Sequence, residues 1–214
     1  MELPVRCGNA ASQIQRKAAI RDQLRAVRAR REGDAGSPAA AGLAAVLGPH
    51  LVGQAAVALY VALRYEPGTA PLRALLAASG VPVLLPWLQS DNDLDWVRDG
   101  SPPTDLDEGD RRAAMHPPGE LLGRSAITTV TTLVLPALAV DTAGRRLGQG
   151  GGSYDRVLAR LREHGAPTAL IACVFDDEVL DAERESLPDA PHDERIDQVA
   201  TPTRLIRLRR SSQR

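Results

Sequence analysis

Apolar and polar positions along this chain recur with two periods, and the switches between them outline alternating helices and strands. Ser12-Gln13-Ile14-Gln15 fits a capping box, with Ser at the N-cap and Gln at N3, and predicts a helix running to about Arg31. Ile20, Leu24 and Val27 form its apolar seam. After a break at Gly33 to Ser37, Ser37-Pro38 predicts a second helix with Pro at N1, and Gly48-Pro49 predicts its end. Ala55 to Val61 is a continuous apolar run that reads as a buried strand, followed by the loop Arg64-Tyr65-Glu66-Pro67-Gly68. Ala70 to Ser79 predicts a helix closed by Gly80 at C′. Val81 to Pro86 and Leu94 to Val97 are the next strands. Residues 98 to 125, rich in Pro, Gly and charge, predict an irregular excursion over the sheet. Thr128 to Leu135 and Thr168 to Phe175 are long strands around a helix at Ser153 to His164, and Ile196 to Ala200 and Arg204 to Leu208 add two short strands.

Strands alternating with helices of this length imply an α/β fold: a single three-layer domain whose mostly parallel, Rossmann-like sheet carries helices on both faces. The expected organisation is a loose N-terminal tail at 1–12, the α/β domain at 13–208 and a basic tail at 209–214. In such sheets ligands bind beyond the carboxyl ends of the strands. Glu66 follows the first strand, and a glycine-rich run follows a later one, so both are expected on one rim.

Composition narrows the function by exclusion. The 214 residues are long enough for one well-buried core, and the formal net charge of −1 gives no general attraction to nucleic acid or to an anionic membrane. Aromatic residues make up 3%, too few for a stacking platform. Cys7 and Cys173 are the two cysteines, one near the N-terminus and one in an apolar strand, so no disulfide framework is expected. Met1 to Arg6 contains no apolar signal core, and no run approaches transmembrane length. The expectation is a cytoplasmic monomer without membrane or nucleic-acid partners.

The richest chemistry lies in Arg146-Leu147-Gly148-Gln149-Gly150-Gly151-Gly152-Ser153-Tyr154-Asp155, just before a helix. Glycines let backbone N–H groups converge and let an anion approach closely, and a helix N-terminus adds unpaired N–H groups with partial positive charge. Arg146 adds a full charge, and Asp155 offers a hard oxygen of the kind Mg²⁺ accepts beside phosphates. No Gly-Lys-Ser/Thr follows, so this is no Walker A loop and its cations must come from elsewhere. Lys17 and Arg21, four apart on the first helix, share one face.

Taken in order, Lys17-x-x-x-Arg21, Glu66, Pro136-Ala-Leu-Ala-Val-Asp141, the Arg146–Asp155 run and Leu187-Pro-Asp-Ala-Pro-His192-Asp193 with Ile196-Asp197 and Thr201 resemble the 5-formyltetrahydrofolate cyclo-ligase family, across roughly residues 13 to 203. The resemblance implies an enzyme that uses ATP and Mg²⁺ to cyclise 5-formyltetrahydrofolate to 5,10-methenyltetrahydrofolate through a phosphorylated formyl group, releasing ADP and phosphate. It implies ATP contacts at Lys17, Arg21, Arg146, Leu147, Gly148, Gln149, Gly150, Gly151, Gly152, Ser153 and Tyr154. Folate contacts fall at Val61, Glu66, Gln149 and Ser153, catalytic roles at Glu66 and Arg146, and Mg²⁺ ligands at Asp155 and Asp193. The chain departs from the family pattern at Ser153, where relatives carry a second tyrosine, and at Ala137 and Val140, where they carry glycine and phenylalanine. Two alternatives stand beside this reading. One is a paralogue that keeps the nucleotide site for another small molecule. The other is a nucleic-acid-binding module using the arginines of the first helix.

Overall fold

A computed structural model of the chain describes residues 10–31, 37–100, 106–107, 109–190 and 193–208. The N-terminal residues 1–9 with Cys7, most of the break before Ser37, His192 and the basic tail at 209–214 lie outside the described residues.

In chain order the helices are α1 (Ala10–Ala29), α2 (Ser37–Leu51), α3 (Ala70–Ala78), α4 (Arg111–Met115) and α5 (Ser153–Glu163). The strands are β1 (Val57–Ala58), β2 (Val83–Leu88), β3 (Leu94–Arg98), β4 (Thr132–Pro136), β5 (Ala139–Asp141), β6 (Arg146–Leu147), β7 (Ala169–Cys173), β8 (Val179–Leu180), β9 (Gln198–Ala200) and β10 (Leu205–Arg207). Seven strands form one sheet in the order β10-β9-β7-β4-β1-β2-β3. Its interior pairs β2–β1, β1–β4, β4–β7 and β7–β9 are parallel, and only the edges β3 and β10 run antiparallel.

Side-chain alternation along the central strands builds a core on each face. Val57, Leu59, Val134, Ile171 and Cys173 pack with Leu43 and Leu47 of α2 and Leu72 and Leu76 of α3. Ala58, Leu133, Leu135, Ala172 and Val174 pack with Val157, Leu158 and Leu161 of α5. Strands buried on both faces read as unbroken apolar runs, which is why composition announced them. The three-layer α/β expectation matches this sheet and its flanking helices.

A second sheet, β6-β5-β8, was not expected. Its strands are two or three residues long, too short to express a period. Helix α1 packs on this small sheet. Ile20 and Leu24 bury against Leu138, Ala139, Leu147, Leu180 and Leu187. The third buried position of α1 is Arg28, 2% exposed, while Val27 is only half-buried, so the seam drawn through Val27 is corrected.

Other boundaries moved for physical reasons. Helix α1 opens at Ala10, so Ser12 lies within it instead of capping it, and residues 10–12 are helical. Helix α2 runs past Gly48 and Pro49 to Leu51, and the Val52 N–H still reaches the Gly48 carbonyl at 2.9 Å. Proline so close to a helix end removes a single hydrogen bond. Gly48 serves packing instead, since a Cβ there would lie 2.4 Å from Leu75 Cδ2 of α3. Thr128 and Thr129 belong to a 3₁₀ turn, Arg124–Thr129, because each hydroxyl donates at 2.8 Å to the carbonyl three residues back. The closure of α3 is as expected: Gly80 has φ 72°, and the Val81 N–H bonds the Leu76 carbonyl at 2.9 Å.

Candidate active site

Strand order reverses direction at β1, because β2 lies on one side of it and β4 on the other. Chain segments leaving the carboxyl ends of β1 and β4 therefore diverge and leave a crevice, the usual ligand position of an open α/β sheet. A cavity of about 690 Å³ occupies that position. Tyr60 to Glu66 after β1 form one wall and the run Gly148 to Asp155 forms another, with Pro136 and Arg146 between them and α4 covering an edge through Ala114 and Met115.

The glycine loop is shaped by its own backbone needs. Gly150 and Gly152 have φ of 100° and 75°, a region costly to side-chain-bearing residues, and Gly152 caps α5. A Cβ at Gly148 would lie 2.5 Å from Arg146 Nη1, so glycine there admits the guanidinium beneath the loop. Two cations of α1 brace the loop. Arg21 Nε donates to the Gly148 carbonyl at 2.9 Å, and Arg25 Nη2 donates to the Gln149 carbonyl at 2.6 Å. Burial and the neighbouring Arg25 push the Arg21 guanidinium below its usual range, while Asp155 opposes this. Arg146 is paired with Asp155, whose side chain remains 59% exposed on the cavity.

Glu66 stands at the opposite wall, 5% exposed. It accepts from the Leu63 N–H at 3.0 Å and from Gln149 Nε2 at 3.2 Å. Burial pushes its carboxyl above the usual range, and the Leu63 N–H, the Arg28 charge and the Gln149 amide only partly offset this. Tyr154 packs between the two cores, and burial raises its phenol far from ionisation.

Val61, Glu66, Arg146, Gly148, Gln149, Gly150, Gly151, Gly152, Ser153, Tyr154 and Asp155 all meet at this one cavity. Leu147 belongs to the sequence run but turns its side chain into the core beneath α1, leaving only backbone to the loop. Lys17, Arg21 and Asp193 are not among the lining residues. Lys17 instead pairs with Asp193 at 2.7 Å, and Asp193 also accepts from the Ala190 N–H at 2.9 Å, so this pair ties α1 to the segment before β9. Asp155 and Asp193 thus face different partners.

Asp141, Asp197 and Thr201 of the motifs make structural contacts. Asp141 is fully buried and accepts from Ala143 N, Arg145 N, Arg145 Nε and Leu187 N, closing the β5–β6 hairpin. Asp197 accepts from the Leu170 N–H, and Thr201 donates to Asp176. Ala137, where the family pattern carries glycine, is not among the residues with positive φ, so its methyl costs no backbone strain.

Sequence reasoning missed Arg25, Tyr60, Tyr65, Ala114 and Met115 as cavity residues. Arg25 continues the i, i+4 column of Lys17 and Arg21, a signal that was available. Tyr60 and Tyr65 adjoin Val61 and Glu66, whereas Ala114 and Met115 come from a distant segment with no local mark. Of the arginines set apart as a nucleic-acid surface in one alternative, Arg25 and Arg30 are exposed, while three others are engaged within the fold. Arg16 bonds the Ser186 carbonyl, Arg28 pairs with Glu178, and Arg31 pairs with Asp177 over the Phe175 ring.

A family model described as the 5-formyltetrahydrofolate cyclo-ligase family matches residues 13–202. The chain belongs to that family. A 5-formyltetrahydrofolate cyclo-ligase of Mycolicibacterium smegmatis is 37% identical over 160 residues, covering 70% of this chain and 75% of the relative. A mitochondrial 5-formyltetrahydrofolate cyclo-ligase of Arabidopsis thaliana is 34% identical over 82 residues, 36% of this chain and 29% of the plant protein. The same fold occurs in the 5,10-methenyltetrahydrofolate synthetase of Aquifex aeolicus, with TM-score 0.70 and 23% identity over 92% of this chain and 95% of that one. It occurs again in the 5,10-methenyltetrahydrofolate synthetase of Mycoplasma pneumoniae, with TM-score 0.65 and 17% identity over 87% and 98%. Among the described residues no helix is long and apolar enough to cross a membrane.

Proposed function

We propose that this chain is a 5-formyltetrahydrofolate cyclo-ligase, working as a cytoplasmic monomer, that couples ATP cleavage to formation of 5,10-methenyltetrahydrofolate. The observation that carries the reading is the single cavity in which a glycine loop and a buried acid meet, joined by Gln149 at 3.2 Å from Glu66. Family membership supplies the folate and the ligase chemistry.

A formamide oxygen is a poor leaving group, so the ring cannot close by direct loss of water. In the proposed reaction that oxygen attacks the γ-phosphorus of ATP, the bond to ADP breaks, and the oxygen leaves later as phosphate when N10 attacks the formyl carbon and loses its proton. The first half requires positioning and charge compensation more than covalent help. Backbone N–H groups of Gly148 to Gly152 and the N-terminus of α5 suit the phosphates, with Arg146 adding a cation from the β6 side. Arg21 and Arg25 hold the loop through the Gly148 and Gln149 carbonyls, and Lys17 would add its charge only on leaving Asp193. Glu66, whose carboxyl burial pushes above its usual range, suits proton transfer at the folate end.

Mg²⁺ is tested by its donors. Among the described residues no three His, Cys, Asp or Glu side chains gather to hold an ion. Mg²⁺ bound with a nucleotide needs only one or two carboxylates besides phosphate oxygens and water. Asp155, exposed on the cavity, fits that requirement, whereas Asp193 fits only if Lys17 releases it. Bound there, the ion would neutralise phosphate charge.

The test is to mix the protein with ATP, Mg²⁺ and 5-formyltetrahydrofolate and follow the methenyl chromophore. One ADP should form per methenyl product. Equal ATP consumption without folate, or no methenyl product, refutes the reading.

A further inference from the structure

Arg25 is not named by any motif, yet it makes two hydrogen bonds to one residue. Its Nη2 donates to the Gln149 carbonyl at 2.6 Å, and its Nε donates to Gln149 Oε1 at 3.2 Å. A guanidinium has donors only, so the amide end facing it must be the oxygen. The NH₂ end is then turned the other way, where Nε2 donates to Glu66 Oε1 at 3.2 Å. Gln149 is exposed and on a glycine loop, so nothing else in its own backbone fixes which end of the amide faces the acid.

We propose that Arg25 is a positioning residue of the site: its planar fork fixes the Gln149 amide so that the NH₂ is held against Glu66, linking helix α1, the glycine loop and the buried acid. The proposal deepens the cyclo-ligase reading and rests on it for its catalytic meaning, but the linkage itself is a property of the unliganded protein. Its consequence is that a residue outside the reacting atoms sets how readily Glu66 holds a proton. Besides the Leu63 N–H and Gln149, the groups facing Glu66 are Arg28 of α1, Glu178 beside it, Tyr154 of α5 and Cys173 of β7. None of these is touched by changing Arg25. Lysine at this position would keep the positive charge but lose the fork that engages carbonyl and amide together.

The experiment follows the side-chain carboxyl carbon of Glu66 by NMR against pH in the full chain without substrates, assigned through Glu66→Gln. It compares wild type with Arg25→Met, Arg25→Lys, Gln149→Leu and the Arg25→Met/Gln149→Leu double variant. Arg25→Met and Arg25→Lys should both move the Glu66 midpoint upward by about one pH unit, the size of one lost hydrogen bond to a charged acceptor. Gln149→Leu should move it as far, and the double variant no further, because Arg25 acts only through Gln149. A wild-type midpoint in Arg25→Lys, or a double variant whose shift is the sum of the singles, overturns the proposal. Because no turnover is involved, these outcomes are independent of the methenyl assay. In an active protein, the acid limb of the kcat/KM profile for 5-formyltetrahydrofolate should move in the same direction.

Discussion

The seven-stranded sheet and the small sheet under α1 are held together in different ways, and the site spans the two. The large sheet is gripped by two continuous apolar cores, with Val57, Leu133, Val134 and Ala172 at 0% exposure. Among the described residues the apolar cluster joining α1 to the small sheet has seven members, two of them from α1. Ion pairs do much of the rest there: Arg28 with Glu178, both nearly fully buried, Lys17 with Asp193, and Arg145 with Asp141. Apolar burial is non-directional and shared among many contacts, whereas a buried charge is stable only while its partner is in place. The region carrying the cations of the site should therefore fail by losing a single partner, and the large sheet by losing volume.

Glu178→Ala should show the largest effect. It strands Arg28 in the interior and should cost about 3–5 kcal/mol by denaturant unfolding, while replacing both residues with methionine should recover most of that loss. Hydrogen exchange should place the weakening in α1 and the small sheet, with β4 and β7 still protected. A Glu178→Ala cost below about 1 kcal/mol would break the contrast between the regions.

Next come the cations. Arg146→Ala should lower kcat/KM for ATP by roughly 10- to 150-fold, the range of one lost charge-assisted contact. Lys17→Ala should affect both stability and ATP use, because Lys17 also binds Asp193. Equal kinetics for wild type and Arg146→Ala would move Arg146 out of the site.

Glu66 lies in the segment that follows β1 of the large sheet, and its folded-state affinity for a proton is raised by burial. Its folded form therefore holds a proton at pH values where the unfolded chain has lost it. By linkage, its contribution to stability is complete below the unfolded glutamate range and is lost as pH rises through the folded value. Glu66→Gln should thus abolish methenyl formation yet raise the melting temperature at pH 8, with no gain near pH 3. A destabilised Glu66→Gln at pH 8 contradicts this sign.

A smaller effect separates the aspartates. Asp155→Asn should raise the Mg²⁺ concentration needed for half-maximal rate with little loss of stability, since Asp155 is exposed. Asp193→Asn should lower the melting temperature, since it breaks a tie between α1 and the segment before β9. The same response from both would argue for one shared metal site. Smallest is Ser153→Tyr, which offers a flat apolar face at the cavity and should tighten 5-formyltetrahydrofolate while leaving KM for ATP nearly unchanged. Folate KM values for both forms decide it.

Sequence alone determined the strands of the large sheet, the flanking helices and the glycine loop, because continuous apolar runs, helical periodicity and a cluster of glycines are local statements. It also determined that Glu66 and the loop share a rim, through the rule that places ligands beyond the carboxyl ends of strands. Only the tertiary structure decided that Leu147 is core, that Lys17 meets Asp193 instead of the cavity, and that Gly48 marks packing instead of a helix end. It alone revealed β5, β6 and β8, Arg28 buried against Glu178, and Arg25 turned onto Gln149. The physical reason is common to these cases. A charge or a glycine in a sequence states what a residue can do, while its partner is chosen by how the chain folds back, at separations up to the 150 positions between Arg28 and Glu178.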